Sequence, residues 1–128
     1  MKILGIGVDI VENSRITKSL RNKIFIERIF SNSEILIAKK TKDKKSYYAK
    51  RFAAKEAFAK SIGTGFRDNF NFKDVSIVND KLGKPSFLIN KIIKKIVKKQ
   101  FKTTSFNFFL SISDEKKYSI AYVILQKN

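Results

Sequence analysis

Residues 51–65, with the sequence RFAAKEAFAKSIGTG, predict a helix. Its many Ala and Phe residues would favour an apolar face, yet charged residues lie on that face as well. At 3.6 residues per turn, the residues that share one side of this helix are Phe52, Lys55, Glu56, Ala59 and Lys60. Glu56 and Lys60 form an i, i+4 pair and are therefore within reach of a common ligand. Gly63 follows as the predicted end of the helix, because glycine readily adopts the left-handed conformation found there. Charges placed in this way indicate a ligand or a charged neighbour.

A second carboxylate lies in the apolar body of a strand near the N-terminus. Residues 3–12 read ILGIGVDIVE, a pattern typical of a short buried strand, and Asp9 is part of it. Burial of an unpaired carboxylate is costly. From this segment alone, the expected role of Asp9 is to cap the helix that starts near Glu12.

Five motifs along the chain resemble those of the holo-[acyl-carrier-protein] synthase family, the small 4′-phosphopantetheinyl transferases. In chain order they are Gly7-Val8-Asp9-Ile10, Lys55-Glu56-Ala57-Phe58-Ala59-Lys60, Gly63-Thr64-Gly65, the run NDKLGKP at 79–85 and the run SISDE at 111–115. Each motif alone is a weak signal. All five occur in family order and at family-like spacings, so the resemblance covers nearly the whole chain.

The predicted elements indicate an α+β fold, in which an antiparallel-rich sheet has helices packed on one side. Predicted helices span 12–20, 23–30, 31–38, 45–62 and 90–100, and the third begins with a capping box formed by Ser31 and Glu34. Predicted strands span 3–12, 71–79, 85–89, 106–112 and 118–125. No repeat or linker divides the chain, so residues 1–128 are expected to form one domain of the transferase type.

The resemblance implies an enzyme that transfers the phosphopantetheine group of coenzyme A to a serine of apo acyl carrier protein, for fatty acid synthesis. It implies that Asp9 and Glu56 hold Mg²⁺ and that Glu56 and Lys60 act in catalysis, with Lys60 directed at phosphate oxygens. The residues expected to contact coenzyme A are Lys44, Arg51, Lys60, Gly63, Gly65, Gly83, Lys84 and Pro85.

Each of these roles has a structural alternative that the sequence leaves open. Glu56 is otherwise a surface ion pair with Lys60 or Arg51, and residues 63–65 are otherwise only the end of a helix. Arg51 and Lys55 match the family signature, yet either one is also a candidate partner for Glu56 or for a neighbouring subunit. The general base is a metal-bound water, Glu56 or a carboxylate of the carrier protein.

One position departs from part of the family. Some members carry His where this chain has Asp114, and a histidine there is able to contact a phosphate. An aspartate cannot do so directly, so we expect no phosphate contact from Asp114.

The composition limits the chemistry of any metal site. The chain has no Cys and no His, which excludes thiolate sites, disulfides and the usual zinc ligands. A metal would have to be bound by oxygen, and this favours Mg²⁺, which takes one or two carboxylates plus substrate phosphate and water.

The formal charge of +17 points to an anionic partner. The kinds of residue that supply this charge, however, argue against specific recognition of nucleic acid. The charge comes mostly from Lys, and Arg is the better reader of phosphates and bases. The abundance of Lys, Ile, Phe and Asn is what an AT-rich coding sequence produces. A basic nucleic-acid-binding domain without catalysis, with its twelve Phe stacking on bases, remains the alternative function.

An acidic carrier protein is the expected partner, docking near Arg15, Lys18 and Arg21 on the first predicted helix. The resemblance further implies a homotrimer, with part of the nucleotide pocket supplied by the neighbouring subunit. The sequence has neither a signal-peptide pattern nor an apolar run long enough to span a bilayer. A cytoplasmic protein without membrane or specific nucleic-acid partners is therefore expected.

Overall fold

The order of strands and helices matches the prediction from the sequence, in a computed structural model that describes residues 1–67 and 69–128. The strands are β1 (Lys2–Glu12), β2 (Ser76–Asn79), β3 (Pro85–Leu88), β4 (Phe106–Asp114) and β5 (Tyr118–Lys127). The helices are α1 (Asn13–Ser19), α2 (Lys23–Ile29), α3 (Asn32–Lys40), α4 (Lys44–Ile62) and α5 (Lys91–Phe101). The fold is α+β, as predicted.

The strands form two antiparallel sheets, where the sequence predicted one. The larger sheet has the order β1-β5-β4, so the two ends of the chain pair along their whole length, with Asp9 opposite Ala121. The smaller sheet is the β2-β3 hairpin, in which Asn79 pairs with Pro85. Helix α4 packs across the larger sheet against β1 and β5.

The predicted strand over residues 71–79 is wrong in its first half. Phe72–Asp74 is a short 3₁₀ helix, and β2 begins only at Ser76. The Asn71 N–H donates to the Asp74 carboxylate at 2.8 Å. This local bond occupies a backbone donor that a strand would need, which is how Asp and Asn compete with regular structure.

Two glycines of β1 allow α4 to lie directly on the strand. A Cβ atom built on Gly7 would lie 1.9 Å from the Ala57 carbonyl oxygen, and one built on Gly5 would lie 1.8 Å from that of Ser61. Because those atoms belong to the backbone of α4, no side-chain movement would relieve the overlap. The absence of a side chain at these two positions therefore allows the short distance between β1 and α4.

A buried ion pair connects α3, α4 and β2. Lys55 of α4 is fully buried, and its Nζ donates to Glu34 Oε1 at 2.7 Å and also to the carbonyl oxygens of Phe72 and Val75. Glu34 Oε2 accepts a hydrogen bond from the Ile77 N–H at 3.0 Å. Burial lowers the pKa of the Lys55 ammonium, while the Glu34 carboxylate raises it. All three Nζ hydrogens thus have acceptors, the condition under which a buried charge is tolerated.

The other face of the larger sheet is apolar and exposed in the single chain. Its side chains alternate with those facing α4, as expected for strands with period two. The exposed residues on this outer face include Ile6, Val8, Ile10, Phe109, Ile120 and Tyr122, which are 40–59% accessible. Among the described residues, no helix has the length and apolar character needed to cross a membrane.

Candidate active site

Asp9 and Lys60 form an ion pair between β1 and α4. Asp9 lies on the face of β1 that carries Gly5 and Gly7, so its side chain meets the helix that those glycines admit. Lys60 Nζ donates to Asp9 Oδ1 at 3.0 Å and to the Val8 carbonyl oxygen at 3.1 Å. The Asp9 side chain is 14% exposed and that of Lys60 is 54% exposed, so the pair lies at the border of solvent.

Glu56 lies one turn before Lys60 on α4 and shares a cavity of about 300 Å³ with Asp9. Helix α1 supplies another wall of this cavity, including Arg15. Burial raises the pKa of the Glu56 carboxyl above its usual range; the nearby Asp9 charge raises it further, and Lys60 lowers it. The two carboxylates therefore repel each other, and a cation would relieve that repulsion.

This donor set fits Mg²⁺ in the presence of a phosphate substrate. Within the described residues, no group of three acidic side chains is arranged to hold a metal by itself. Two carboxylates that share an open cavity leave positions for phosphate oxygens and water, as Mg²⁺ sites commonly do. The predicted pair of ligands, Asp9 and Glu56, is thus brought together by β1 and α4.

The β2-β3 hairpin holds the predicted coenzyme A contacts Gly83, Lys84 and Pro85. Gly83 has φ +87° and donates its N–H to the Asp80 carbonyl oxygen at 3.0 Å, which closes the predicted turn. The Lys84 N–H donates to the Asp80 carboxylate at 2.9 Å. Pro85 is the first residue of β3, a position where the missing N–H is tolerated.

Arg51 joins this hairpin to α4. Its guanidinium lies over the Tyr47 ring, 3.7 Å from the centroid, and Nη2 donates to Asn79 Oδ1. Arg51 is 5% exposed, and its Nε has no hydrogen-bond acceptor among the described residues. Arg51 therefore contacts Tyr47 and Asn79, and the alternative prediction of an ion pair between Arg51 and Glu56 is wrong.

The other predicted nucleotide contacts, Lys44, Gly63 and Gly65, do not line the cavity of Asp9 and Glu56. Gly63 caps α4 at φ +89° and Gly65 has φ +68°; the space beside both Cα atoms is open. Lys44 begins α4, about 18 Å along the helix axis from Glu56 at 1.5 Å per residue. It borders a separate cavity of about 690 Å³ with Tyr48 and Lys73, and its Nζ donates to the Thr41 carbonyl oxygen at 3.2 Å.

One expectation about the signature residues needs correction, and the expectation for Asp114 stays a prediction. Lys55 does not share the face of Glu56 and Lys60, because its side chain enters the core and pairs with Glu34. Asp114 accepts a hydrogen bond from the Ser46 hydroxyl at 3.1 Å, close to the start of α4. The structure therefore gives both residues protein partners.

The part played by Gly5 and Gly7 was not predicted from the sequence. Glycines that recur with the period of a strand lie on one face, and glycine in a strand often marks the close approach of another backbone. The signal was therefore present in residues 5–9, next to Asp9. It predicts the contact that brings Asp9 to α4.

Comparison with known proteins shows which family the chain belongs to. The family model of the 4′-phosphopantetheinyl transferase superfamily matches residues 5–123. The chain is 76% identical over 127 residues to the holo-[acyl-carrier-protein] synthase of Pelagibacter ubique, covering 99% of each chain.

Solved structures agree in fold. The chain is similar to the crystal structure of holo-[acyl-carrier-protein] synthase from Neisseria meningitidis, with a TM-score of 0.88 and 38% identity, covering 98% of this chain and 99% of that one. It is also similar to the holo-(acyl-carrier-protein) synthase of Bacillus anthracis in complex with CoA (3′,5′-ADP), with a TM-score of 0.82 and 36% identity over 100% of both chains.

Proposed function

Because this chain belongs to the 4′-phosphopantetheinyl transferase superfamily, we infer that it transfers the 4′-phosphopantetheine group of coenzyme A to a serine of apo acyl carrier protein. The observation that supports this most directly is the cavity that Asp9 and Glu56 both line. We take residues 1–128 as one domain of this kind. The holo carrier protein would serve fatty acid synthesis, and the cytoplasm is its proposed location.

In the proposed reaction, the serine hydroxyl oxygen attacks the β-phosphorus of coenzyme A. The bond from that phosphorus to the bridging oxygen breaks, and adenosine 3′,5′-bisphosphate leaves with the electron pair. The hydroxyl proton passes to the Glu56 carboxylate and from there to water in the cavity.

Asp9 and Glu56 are the proposed Mg²⁺ ligands. Bound there with the pyrophosphate, Mg²⁺ would polarise the phosphorus and offset the charge of the leaving phosphate. Lys60, which lies beside Asp9 in the free chain, would donate to the phosphate oxygens as negative charge develops on them.

The nucleotide contacts are proposed to come from α4, its C-terminal glycines and the β2-β3 hairpin. Arg51 borders the hairpin that carries Gly83, Lys84 and Pro85. The open space beside the Cα atoms of Gly63 and Gly65 would let a phosphate approach the backbone there, although the Gly63 N–H itself donates to the Ala59 carbonyl oxygen at 3.1 Å. Lys44 is far from Glu56 along α4 and therefore fits a contact to a remote part of coenzyme A, such as its 3′-phosphate.

A homotrimer is the proposed assembly. The outer face of the larger sheet exposes neighbouring apolar side chains, including Val8 opposite Tyr122 and Ile10 opposite Ile120. A continuous apolar area of this kind is typical of an interface. A second copy of the chain is the occupant we propose for it, so that each nucleotide pocket is completed by a neighbouring subunit.

The carrier protein is proposed to dock at α1. Arg15 lines the cavity of Asp9 and Glu56, Lys18 is exposed near the end of the same helix, and Arg21 is exposed in the turn that follows it. An acidic carrier helix placed there would bring its serine to the cavity. Charge complementarity of this kind speeds encounter and is weakened by salt.

The test is to incubate the protein with coenzyme A, Mg²⁺ and an apo acyl carrier protein and to weigh the carrier by mass spectrometry. A carrier heavier by one phosphopantetheine group is the expected result. No mass gain with several apo carriers would reject the transferase function and favour polyanion binding. Against that alternative, Phe109 is the only exposed Phe of the twelve, all of which lie in the described residues, so few rings are available for stacking on bases.

A further inference from the structure

The loop between β2 and β3 is held in one shape by its own side chains. Asp80 Oδ1 accepts hydrogen bonds from the N–H groups of Leu82 and Lys84, at 2.8 and 2.9 Å. The Asp80 N–H donates to the Lys84 carbonyl oxygen at 3.0 Å. The loop is thus internally rigid, and its position in the protein depends on what fixes it from outside.

Asn79 provides that external connection. Its Oδ1 accepts a hydrogen bond from Arg51 Nη2, and its Nδ2 donates to the Gly83 carbonyl oxygen at 3.0 Å. One exposed side chain therefore connects the turn to α4, the helix that carries Glu56 and Lys60. Arg51 itself is held by the Tyr47 ring, and the Tyr47 hydroxyl donates to the Glu34 carbonyl oxygen at 2.9 Å.

We propose that Asn79 is a positioning residue for coenzyme A, which sets residues 83–85 of the hairpin against Arg51 and so against the catalytic helix. This inference rests on the proposed function, because it concerns the nucleotide side of the same site. Asn79 acts through Gly83 and Arg51 and itself needs no contact with the substrate. Its loss would let the rigid turn move as a body relative to α4, which weakens binding of the nucleotide and leaves the carboxylates in place.

The chain offers a matched control in Asn90. Its Oδ1 accepts from the Ile93 N–H at 2.9 Å and its Nδ2 donates to the Asp74 carbonyl oxygen at 2.7 Å. Asn90 therefore makes the same number of side-chain hydrogen bonds as Asn79, both of them to backbone groups, at the start of α5 and away from the turn. Asn90→Ala therefore tests how a loss of stability away from the turn affects the KM for coenzyme A.

The experiment compares wild type, Asn79→Ala, Arg51→Lys, the double variant and Asn90→Ala. For each protein, kcat and the KM values for coenzyme A and the carrier are measured, together with the affinity for adenosine 3′,5′-bisphosphate by calorimetry and the melting temperature. Asn79→Ser, which keeps a short hydrogen-bonding side chain, is measured in parallel so that the result does not depend on one variant folding.

Asn79→Ala is expected to raise the KM for coenzyme A about tenfold and to weaken bisphosphate binding by a similar factor, the size of one charge-assisted hydrogen bond. We expect kcat and the KM for the carrier to stay within about twofold. The double variant should be no worse than the poorer single variant, because both substitutions break the same connection. Asn90→Ala should lower the melting temperature and leave the KM for coenzyme A unchanged.

The proposal is overturned if Asn79→Ala leaves the KM and bisphosphate affinity within about twofold of wild type, or lowers kcat instead. It is also overturned if Asn90→Ala raises the KM as much, since the effect would then be general. If wild type transfers the group and the variants give either of these overturning results, the inference about Asn79 is rejected and the proposed function stands. If wild type neither transfers the group nor binds the bisphosphate, both the function and this inference are rejected.

Discussion

Lys60 Nζ lies 3.0 Å from Asp9 Oδ1, so the free chain already places a cation beside one of the two proposed metal ligands. The same ammonium donates to the Val8 carbonyl oxygen. Lys60 therefore has two successive partners in the proposed reaction, Asp9 before substrate binds and phosphate oxygens afterwards. The bonds to Asp9 and Val8 hold the partly exposed Lys60 side chain in a defined position before the reaction begins.

Lys60→Ala should lower kcat by about a hundredfold or more, the usual cost of losing one electrostatic contact to a developing negative charge. Steady-state transfer kinetics provide the measurement. Lys94→Ala on α5 is the control, because Lys94 is exposed and has no carboxylate within 4.0 Å in the described part of the chain. Equal rates for wild type and Lys60→Ala would remove Lys60 from the catalytic residues.

The same Lys60→Ala change should strengthen metal binding to the free protein, because it removes the ammonium that competes for Asp9. Binding of Mn²⁺, followed by electron paramagnetic resonance without coenzyme A, measures this directly. Weaker Mn²⁺ binding by Lys60→Ala than by wild type would show that Lys60 does not compete with the metal for Asp9.

Glu56→Gln should stabilise the metal-free protein at neutral pH while abolishing transfer. The folded pKa of Glu56 is raised, so ionisation at neutral pH costs stability, and a neutral amide avoids that cost. The cost exists only where the wild-type carboxyl is ionised. The gain in melting temperature should therefore shrink as the pH falls through the raised pKa toward the ordinary value for Glu.

Melting temperatures of wild type and Glu56→Gln across this pH range, with chelator present, check the prediction. Glu27→Gln is a matched control, because Glu27 is exposed in a 3.9 Å pair with Lys23. A gain that is independent of pH, or a loss at neutral pH, would argue against a Glu56 pKa raised by burial and by the Asp9 charge.

Gly7→Ala should unfold or severely destabilise the protein. The added Cβ would overlap the Ala57 carbonyl oxygen and the Ser61 nitrogen, both part of the α4 backbone. Thermal unfolding measures the loss of stability. Gly83→Ala is the contrasting variant: its added Cβ would meet no atom within 4 Å, so it should cost only the backbone strain of a non-glycine residue at φ +87°. Near-native stability of Gly7→Ala would mean that α4 does not need its close contact with β1.

Lys55→Met should destabilise the fold by about 3–5 kcal/mol, since it leaves the Glu34 carboxylate buried without its partner. Chemical unfolding at neutral pH gives the value. Lys23→Met, which breaks only the exposed pair with Glu27, should cost less than about 1 kcal/mol. A Lys55→Met protein of full stability that has lost transfer would assign Lys55 to catalysis.

The sequence was enough to predict nearly every element, because their hydrophobic periods and turn residues were local. The capping box of Ser31 and Glu34 is present as predicted, with the Glu34 carboxylate accepting from the Ser31 N–H at 2.9 Å. Local pattern could not reveal that this same carboxylate is buried and paired with Lys55, since the contact joins residues far apart in sequence.

The same distinction applies to the site. Asp9 and Glu56 were found from motifs, and the structure brings them to one cavity. The partners of Arg51 and Lys55 were not predicted correctly, because helix periodicity gives the side on which a residue lies but not which side is buried. Asn79 and its two bonds also depend on the position of the hairpin relative to α4.

The central claim is that Asp9 and Glu56 together support a metal-dependent transfer from coenzyme A. The most direct measurement is the mass of an apo acyl carrier protein after incubation with coenzyme A and wild type, Asp9→Asn or Glu56→Gln, each with Mg²⁺ or with chelator. We predict a gain of one phosphopantetheine group with wild type and Mg²⁺, and none with chelator or with either folded variant. Transfer that persists in both variants would contradict the account.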